Sequence, residues 1–494
     1  MLIFLPMFNT TRAQEKYDYV WPYGYGFDIT GQDPRLNFNG GSMDVEINNN
    51  FYWMDSQNAS ICSEEGDLLF FTNGCAIIKE NAEVMANGSG INFINEDCEF
   101  GYSGSQDAMI LTNNYVEDQY FVFHKYVIFQ EEENPTKMLY SIVDNSGEGE
   151  VIEKNIEVEE ERNLLTSYLT GIAHENKKDW WLVNPVVNDS IFSIFLIDST
   201  GVKKQADQST GEYFNEFRSS ASGTARFSPD GKKLAIYSYY DQLNVYDFDR
   251  GSGEISNHKK IYIYPESEID TNEIIFSSVE WSPNSRFLYT ASFYDLHQID
   301  TWEENIQQEG IHLIDVYNGT EDPSPTLFYL MALGPDCRIY MTSPGASNSN
   351  HIIFNPDELG SECSFVQNGL KLPENFRGVG LPNFPRYRVD EEEKCDNTIT
   401  RIIDQKIYVK QEIKVYPTPS TGQVWIQGSE DLRGVFDVLV YDVNGGLVLK
   451  YETRDPQFQS LNLSSLKDGT YFIELFNRDR SVPRFYLGKV MIVH

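Results

Sequence analysis

The sequence predicts an all-β protein, a β-propeller followed by a small C-terminal β-sandwich, on three observations. A turn that feeds an apolar strand returns at a pitch of about fifty residues, the signature of stacked multi-strand units. Aromatic residues make up 14% of the chain, with 31 Phe and 30 Tyr, and such side chains suit pleated, half-buried surfaces. The end of the chain holds short strands around a hairpin turn of its own.

The pattern is clearest at Phe227-Ser-Pro-Asp-Gly-Lys-Lys-Leu-Ala-Ile-Tyr237. Pro229 presets φ, Asp230 bonds back to the backbone, Gly231 takes a left-handed conformation, and Leu234–Tyr237 forms a strand. It returns at Trp281-Ser-Pro-Asn-Ser-Arg-Phe-Leu-Tyr-Thr290 and at Leu333-Gly-Pro-Asp-Cys-Arg-Ile-Tyr-Met341. The residue after each turn proline marks the register: Asp230, Asn284 and Asp336. Stepping back at that pitch reaches Asn176, Glu117 and Glu65, each a polar approach to an aromatic-rich strand, at intervals of 52, 59, 54, 54 and 52. One period from Ala225 reads as four strands: Ala225–Ser228, Lys233–Ser238, Leu243–Asp249 and Ile255–Tyr264. Four is the number in a propeller blade. Six marked units and one blade built from both ends, Tyr17–Asn50 with Phe384–Val389, favour seven blades, with six and eight as alternatives; such closure removes exposed sheet edges.

The domain reading follows. Residues 1–13 resemble the remnant of a signal peptide: Leu2–Phe8 is apolar and Ala13-Gln14 suits a cleavage site, although the basic leader is missing. Residues 14–390 are the propeller and 391–412 a charged linker. Residues 413–494 are a separate module with a hairpin turn at Asn444-Gly445-Gly446 and strands at Val435–Val443, Leu447–Tyr451, Leu461–Leu466, Thr470–Phe476 and Phe485–Val493.

This module resembles the type A sorting domain of the type IX secretion system of Bacteroidota. The likeness lies in Val415-Tyr-Pro-Thr-Pro-Ser-Thr-Gly422, Val440-Tyr-Asp-Val-Asn-Gly-Gly446, Leu463-Ser-Ser-Leu-Lys-Asp-Gly-Thr-Tyr471 and Gly488-Lys-Val-Met-Ile-Val493. Its signal residues are Tyr416, Pro417, Pro419, Gly422, Gly445, Gly469, Tyr471 and Lys489. Thr418 departs from the Asn usual before the second proline. The body is similar to WD40-like and TolB-like propellers often joined to that signal, through Gly66-Asp-Leu-Leu-Phe-Phe-Thr-Asn-Gly74, Asp179-Trp-Trp-Leu182, the proline turns and Gly380-Leu-Pro-Asn-Phe384. The resemblance implies the type IX translocon as a partner and a secreted or outer-surface destination after periplasmic passage. It also implies removal of the module, with cleavage expected in the linker at about Glu391–Gln411.

The net charge of −37 argues against nucleic acid or an anionic membrane surface as partner and leaves room for cations or a basic partner. No run reaches the length of a membrane span. The six cysteines lack zinc spacing; export would let them pair, and proximity favours Cys75–Cys98 and Cys337–Cys363, with Cys62–Cys395 tying the first blade to the tail. The seven histidines are scattered without a metal motif, and neither a nucleophile elbow nor a phosphate loop occurs. No cofactor is expected; calcium at Asp247-Phe-Asp249-Arg-Gly251-Ser-Gly253-Glu254 is the weak exception, since hairpins use the same residues. Trp180-Trp181 places at least one ring in the core, the other being a conceivable platform for a sugar. No catalytic residue emerges. The reading is an exported, non-enzymatic propeller binding a protein or glycan. The alternatives are a secreted hydrolase or lyase with its site at the propeller channel, and a structural surface or matrix component.

Overall fold

The computed structural model describes residues 15–389 and 411–493, apart from short stretches at 27–31, 41–42, 49–51, 55, 93–100, 102–103, 128–135, 159–161, 215–222, 271–272, 346, 374–375, 379, 413, 428–434, 443–446, 455–459 and 478–484. The chain divides into two compact units, one holding Met1–Phe365 with Leu372–Thr400, the other Val366–Lys371 with Arg401–His494. The expected signal-peptide remnant and most of the expected linker lie outside the described residues.

Seven antiparallel sheets follow one another along the first unit. Blade one has three strands, Val20–Pro22, Asp33–Asn37 and Asp44–Asn48. Blade two begins at Ala59–Cys62, blade three at Ala108–Thr112, blade four at Thr170–Ala173, blade five at Gly223–Phe227, blade six at Ser277–Trp281 and blade seven at Met331–Leu333. Blades two, three, five and six build outward through four successive strands, and blade four adds a fifth, Gln208–Phe214, that pairs with Asp189–Asp198; a parallel bridge joins the outer edges of blades two and three. Blade five matches the expected unit closely, with strands Gly223–Phe227, Lys233–Ser238, Gln242–Asp249 and Glu254–Ile261.

The repeated turn has one physical design. The Ser228 hydroxyl donates to Asp230 and accepts the Lys233 N–H, while Asp230 accepts the Lys232 N–H. Ser282 and Asn284 repeat this with Phe287 and Arg286. The residue after every register mark has positive φ: Gly66, Asp118, Lys177, Gly231, Ser285 and Cys337. The three early marks, which lack the proline, therefore share the backbone of the three that have it. Neighbouring turns also touch, as where the Asp230 N–H donates to Ser285 Oγ, so they gather on one end of the ring, the turn face.

Between blades the core is aromatic and apolar. Trp281 donates its indole N–H to Arg226 O, and Trp180 to Thr112 O, each reaching the preceding blade. Histidines are buried here too. Burial pulls His124 and His297 down to about 4 and His351 to about 3, so all three stay neutral in the folded protein. The unfolded chain takes up these protons below about pH 6.5, so stability contributed by each neutral imidazole is present at pH 7 and lost as pH falls toward 4, by about 3 kcal/mol per residue at the limit. Histidine-labelled NMR is expected to show three rings without a titration step above pH 5, and urea midpoints are expected to fall over the same range. Titration of His124, His297 and His351 near 6.5 would contradict it.

The two ends of the propeller do meet, in a different manner from the one expected. Tyr25–Gly26 pairs with Phe376–Arg377, and a Cβ on Gly24 would lie 1.7 Å from Arg377 O, so only glycine fits. Phe384–Val389, by contrast, adds no strand to blade one. Its backbone bonds elsewhere: Asn383 N–H donates to Asn58 O in blade two, and Arg386 exchanges bonds with Gly171 O and Ala173 N–H in blade four. Arg386 reaches on to Phe227 O in blade five and Glu280 in blade six, so the segment crosses the ring's axis.

The second unit stacks two sheets. The larger orders Gln411–Glu412, Phe485–Ile492, Gly469–Asn477, Val435–Tyr441 and Leu447–Arg454; the smaller orders Lys414–Tyr416, Gln423–Gln427 and Ser460–Asn462. Val415, Val424, Ile426, Val438, Val440, Ile473, Leu475, Val490 and Ile492 fill the space between them, and the strand at Gln411–Glu412 begins the sheet inside the stretch read as linker. The expected strand Leu461–Leu466 turns instead after Asn462.

Candidate functional site

The axis is the most connected part of the propeller. The Asn383 amide donates to Ala108 O and Leu169 O, and its oxygen accepts from Gln106 and Arg226. Arg386 donates to Phe227 O and pairs with Glu280, and Tyr387 donates to Ile110 O. Arg388 forms a two-pronged pair with Asp18, 370 residues earlier. Phe384 packs on Trp21, with ring centroids 5.8 Å apart. One short segment thus touches blades one to six.

Glu280 is the centre of this network. It pairs with Arg386 and, at 3.2 Å, with Arg226 Nε, and it accepts the Trp281 and Leu333 N–H groups. Burial lowers Arg226 to about 10, which still leaves it charged at neutral pH. The remaining space beside these groups is about 50 Å³, room for water and little more. The channel carboxylates are therefore partnered by arginines, and the chain itself occupies the channel.

A larger space opens on the turn face. The groove, of about 840 Å³, is lined by Glu15 and Tyr17 of the N-terminal segment, by the first turns of blades two, three and four, and by Tyr387 and Val389 where the axial segment ends. Its volume lies in the range of ligand pockets. Tyr17, Tyr120, Trp180 and Tyr387 form an aromatic floor; Tyr387 stands edge-on to Trp180 at 5.6 Å and lies 5.3 Å from Tyr17. Tyr115 and Val116 project from the rim, 43% and 49% exposed. The Tyr115 hydroxyl donates to Asp179 at 2.6 Å, a bond that pushes it up to about 12, and burial pushes Tyr120 up to about 12. Both stay neutral phenols at physiological pH. The carboxylates of Glu15, Glu64, Glu65, Glu117 and Asp118 line the groove against the ammonium groups of Lys177 and Lys178.

Several residues singled out in the sequence prove structural. Trp180 and Trp181 are both buried, and both indole N–H groups are spent, Trp181 on Arg250 O; neither offers a sugar an open face. Asp247 pairs with Lys233 and accepts from Asn257, and Asp249 accepts twice from Ser252, which makes them hairpin groups. Among the described residues no cluster of three His, Cys, Asp or Glu is placed to hold a metal. The buried pair of Lys125 and Asp107, at 2.8 Å, is spent on Leu165 O and Ser167 N–H.

The cysteine expectation needs correction. Cys62 and Cys363 are free and buried, which removes the pairings Cys62–Cys395 and Cys337–Cys363. Cys62 instead accepts the Val20 N–H through its sulfur inside the core. Cys75 and Cys337 are disulfide-bonded; Cys98 and Cys395 lie outside the described residues. The expected pairing Cys75–Cys98 has one member outside the described residues.

In the C-terminal unit Gly422 has φ +116 and a Cβ there would lie 2.4 Å from Ser464, so glycine is required. Ser420 bonds Met491 O and Val493 N–H, and the Thr418 hydroxyl accepts the Met491 N–H, so threonine serves at the position that departs from the resembled pattern. Tyr416 faces Trp425 across the strands, with rings stacked at 6.4 Å. Tyr471 donates to Lys467 O next to Gly469, and Lys489 points outward. Gly445 lies outside the described residues.

Residues 414–485 match the family described as the secretion system C-terminal sorting domain. The sequence matches no curated protein. Among solved structures, a functionally unknown protein from Desulfotomaculum acetoxidans is 12% identical with a TM-score of 0.38, covering 74% of this chain and 99% of its own. Sqt1 of Chaetomium thermophilum, bound to the N-terminus of ribosomal protein L10, is 12% identical with a TM-score of 0.33, covering 77% and 88%. The β-propeller domain of Cps50 (Swd1) from Myceliophteria thermophila is 10% identical with a TM-score of 0.30, covering 78% and 96%. None of them brings an activity or a partner to this chain. Among the described residues no helix is long and apolar enough to cross a membrane. The sorting domain links the chain to the type IX machinery and directs it to the cell surface or the medium. The chain is a β-propeller protein that carries a C-terminal type IX secretion sorting domain.

Proposed function

We propose that the exported propeller is a binding protein, taking a protein or glycan partner in the turn-face groove. The observation that carries this reading is the contrast between the two openings. The axis, where propeller chemistry would be expected, is filled by residues 382–389, whereas the groove beside it is about 840 Å³ and open. The exposed rim residues Tyr115 and Val116 supply contact area at small entropic cost.

The test is a protein and glycan array probed with the purified full chain. Saturable binding is expected, and Tyr115→Ala with Val116→Ala should weaken it by about tenfold or more, as loss of an interface anchor does. An array without any hit, or a hit indifferent to both substitutions, would overturn the reading.

A further inference from the structure

We infer that the groove selects a cationic segment, a lysine- or arginine-bearing stretch of a partner protein. This rests on the binding reading above and narrows its ligand. Five carboxylates line the groove against two lysines, and four of the five (Glu64, Glu65, Glu117 and Asp118) belong to the turns of adjacent blades, so the field converges on one space. Tyr115 at the rim, 43% exposed, adds an accessible ring beside the same volume, and a cation gains from carboxylates and ring together. The protein already demonstrates the arrangement: the Lys178 ammonium lies 5.9 Å from the Tyr115 ring centre, beside the Tyr115–Asp179 hydrogen bond. A partner's lysine or arginine would extend that pairing inward, toward Tyr17 and Glu64, whose side chains are hydrogen-bonded at 3.4 Å.

Charge also speaks against the chain's own tail as occupant. The residues after Val389 are Asp390-Glu-Glu-Glu-Lys-Cys-Asp396, five carboxylates with one lysine, and like charges repel from a carboxylate-lined groove. The volume suits several side chains of a bound peptide better than a single ion, and no metal cluster is present among the described residues.

Because the whole chain is acidic, the experiment must separate the groove from diffuse attraction. Fluorescence anisotropy with labelled octalysine and octaarginine is run on the full chain. It is repeated on a groove variant, Glu64→Gln, Glu65→Gln, Glu117→Gln and Asp118→Asn, and on a remote variant of equal charge, Glu266→Gln, Glu268→Gln, Glu303→Gln and Glu304→Gln. Asn tolerates the positive φ of Asp118, and all the remote carboxylates are exposed. The groove variant is expected to bind about tenfold or more weakly, with the remote variant within about twofold, and affinity should fall steeply with salt. Equal losses in the two variants would overturn the inference. So would array ligands that depend on Tyr115 and Val116 while neither basic peptide binds, a result that leaves the groove reading standing and removes only its cationic ligand.

Discussion

Glu280→Ala is expected to destabilise the propeller by about 3–5 kcal/mol, the cost of leaving buried charges without their partner. The carboxylate holds Arg226, whose side chain is 8% exposed, and Arg386, whose side chain is 15% exposed, and it caps two backbone N–H groups besides. Removing it strands two guanidinium groups beside each other in a space too small for a full hydration shell. The measurement is the urea midpoint of the propeller transition followed by tryptophan fluorescence. Adding Arg386→Ala to Glu280→Ala should cost less than the sum of the two single changes, because each removes a partner of the other. A Glu280→Ala loss below about 1 kcal/mol would mean that water enters the axis and that the segment is not the pin described above.

Removal of residues 413–494 is expected to abolish appearance outside the cell. Full chain and a version ending at Asp390 are compared in a host with type IX secretion, by fractionating medium, surface and periplasm. The truncated form should collect in the periplasm. It should also keep a cooperative transition, since both the Phe376–Arg377 strand that joins the ends and the axial segment 382–389 are retained. Equal export of both forms would remove the sorting role from the C-terminal unit. A folded, trapped propeller would separate the address from the body, as two compact units with their own cores imply.

The sequence by itself determined what is local. The Ser-Pro-Asp-Gly turn carries its own hydrogen bonds within five residues, from Ser228 to Lys233, so its residue types can be read without knowing the neighbours. Because variants of that turn recur in blades five, six and seven, their pitch disclosed the repeat and the four-strand unit. The C-terminal module was legible for the same reason: Gly422, the prolines and the alternating strands state their geometry within a few residues. Tertiary structure decided the rest, because the contacts involved span the chain. Gln106 meets Asn383 across 277 residues, and Arg388 meets Asp18 across 370. Nothing in Asn383-Phe-Pro-Arg-Tyr-Arg388 announces an axial pin; an extended, proline-bearing stretch reads equally as an edge strand. The groove was hidden likewise, since Glu64, Glu117 and Lys177 sit on turns about fifty residues apart and become neighbours only when blade two, blade three and blade four are set around one axis.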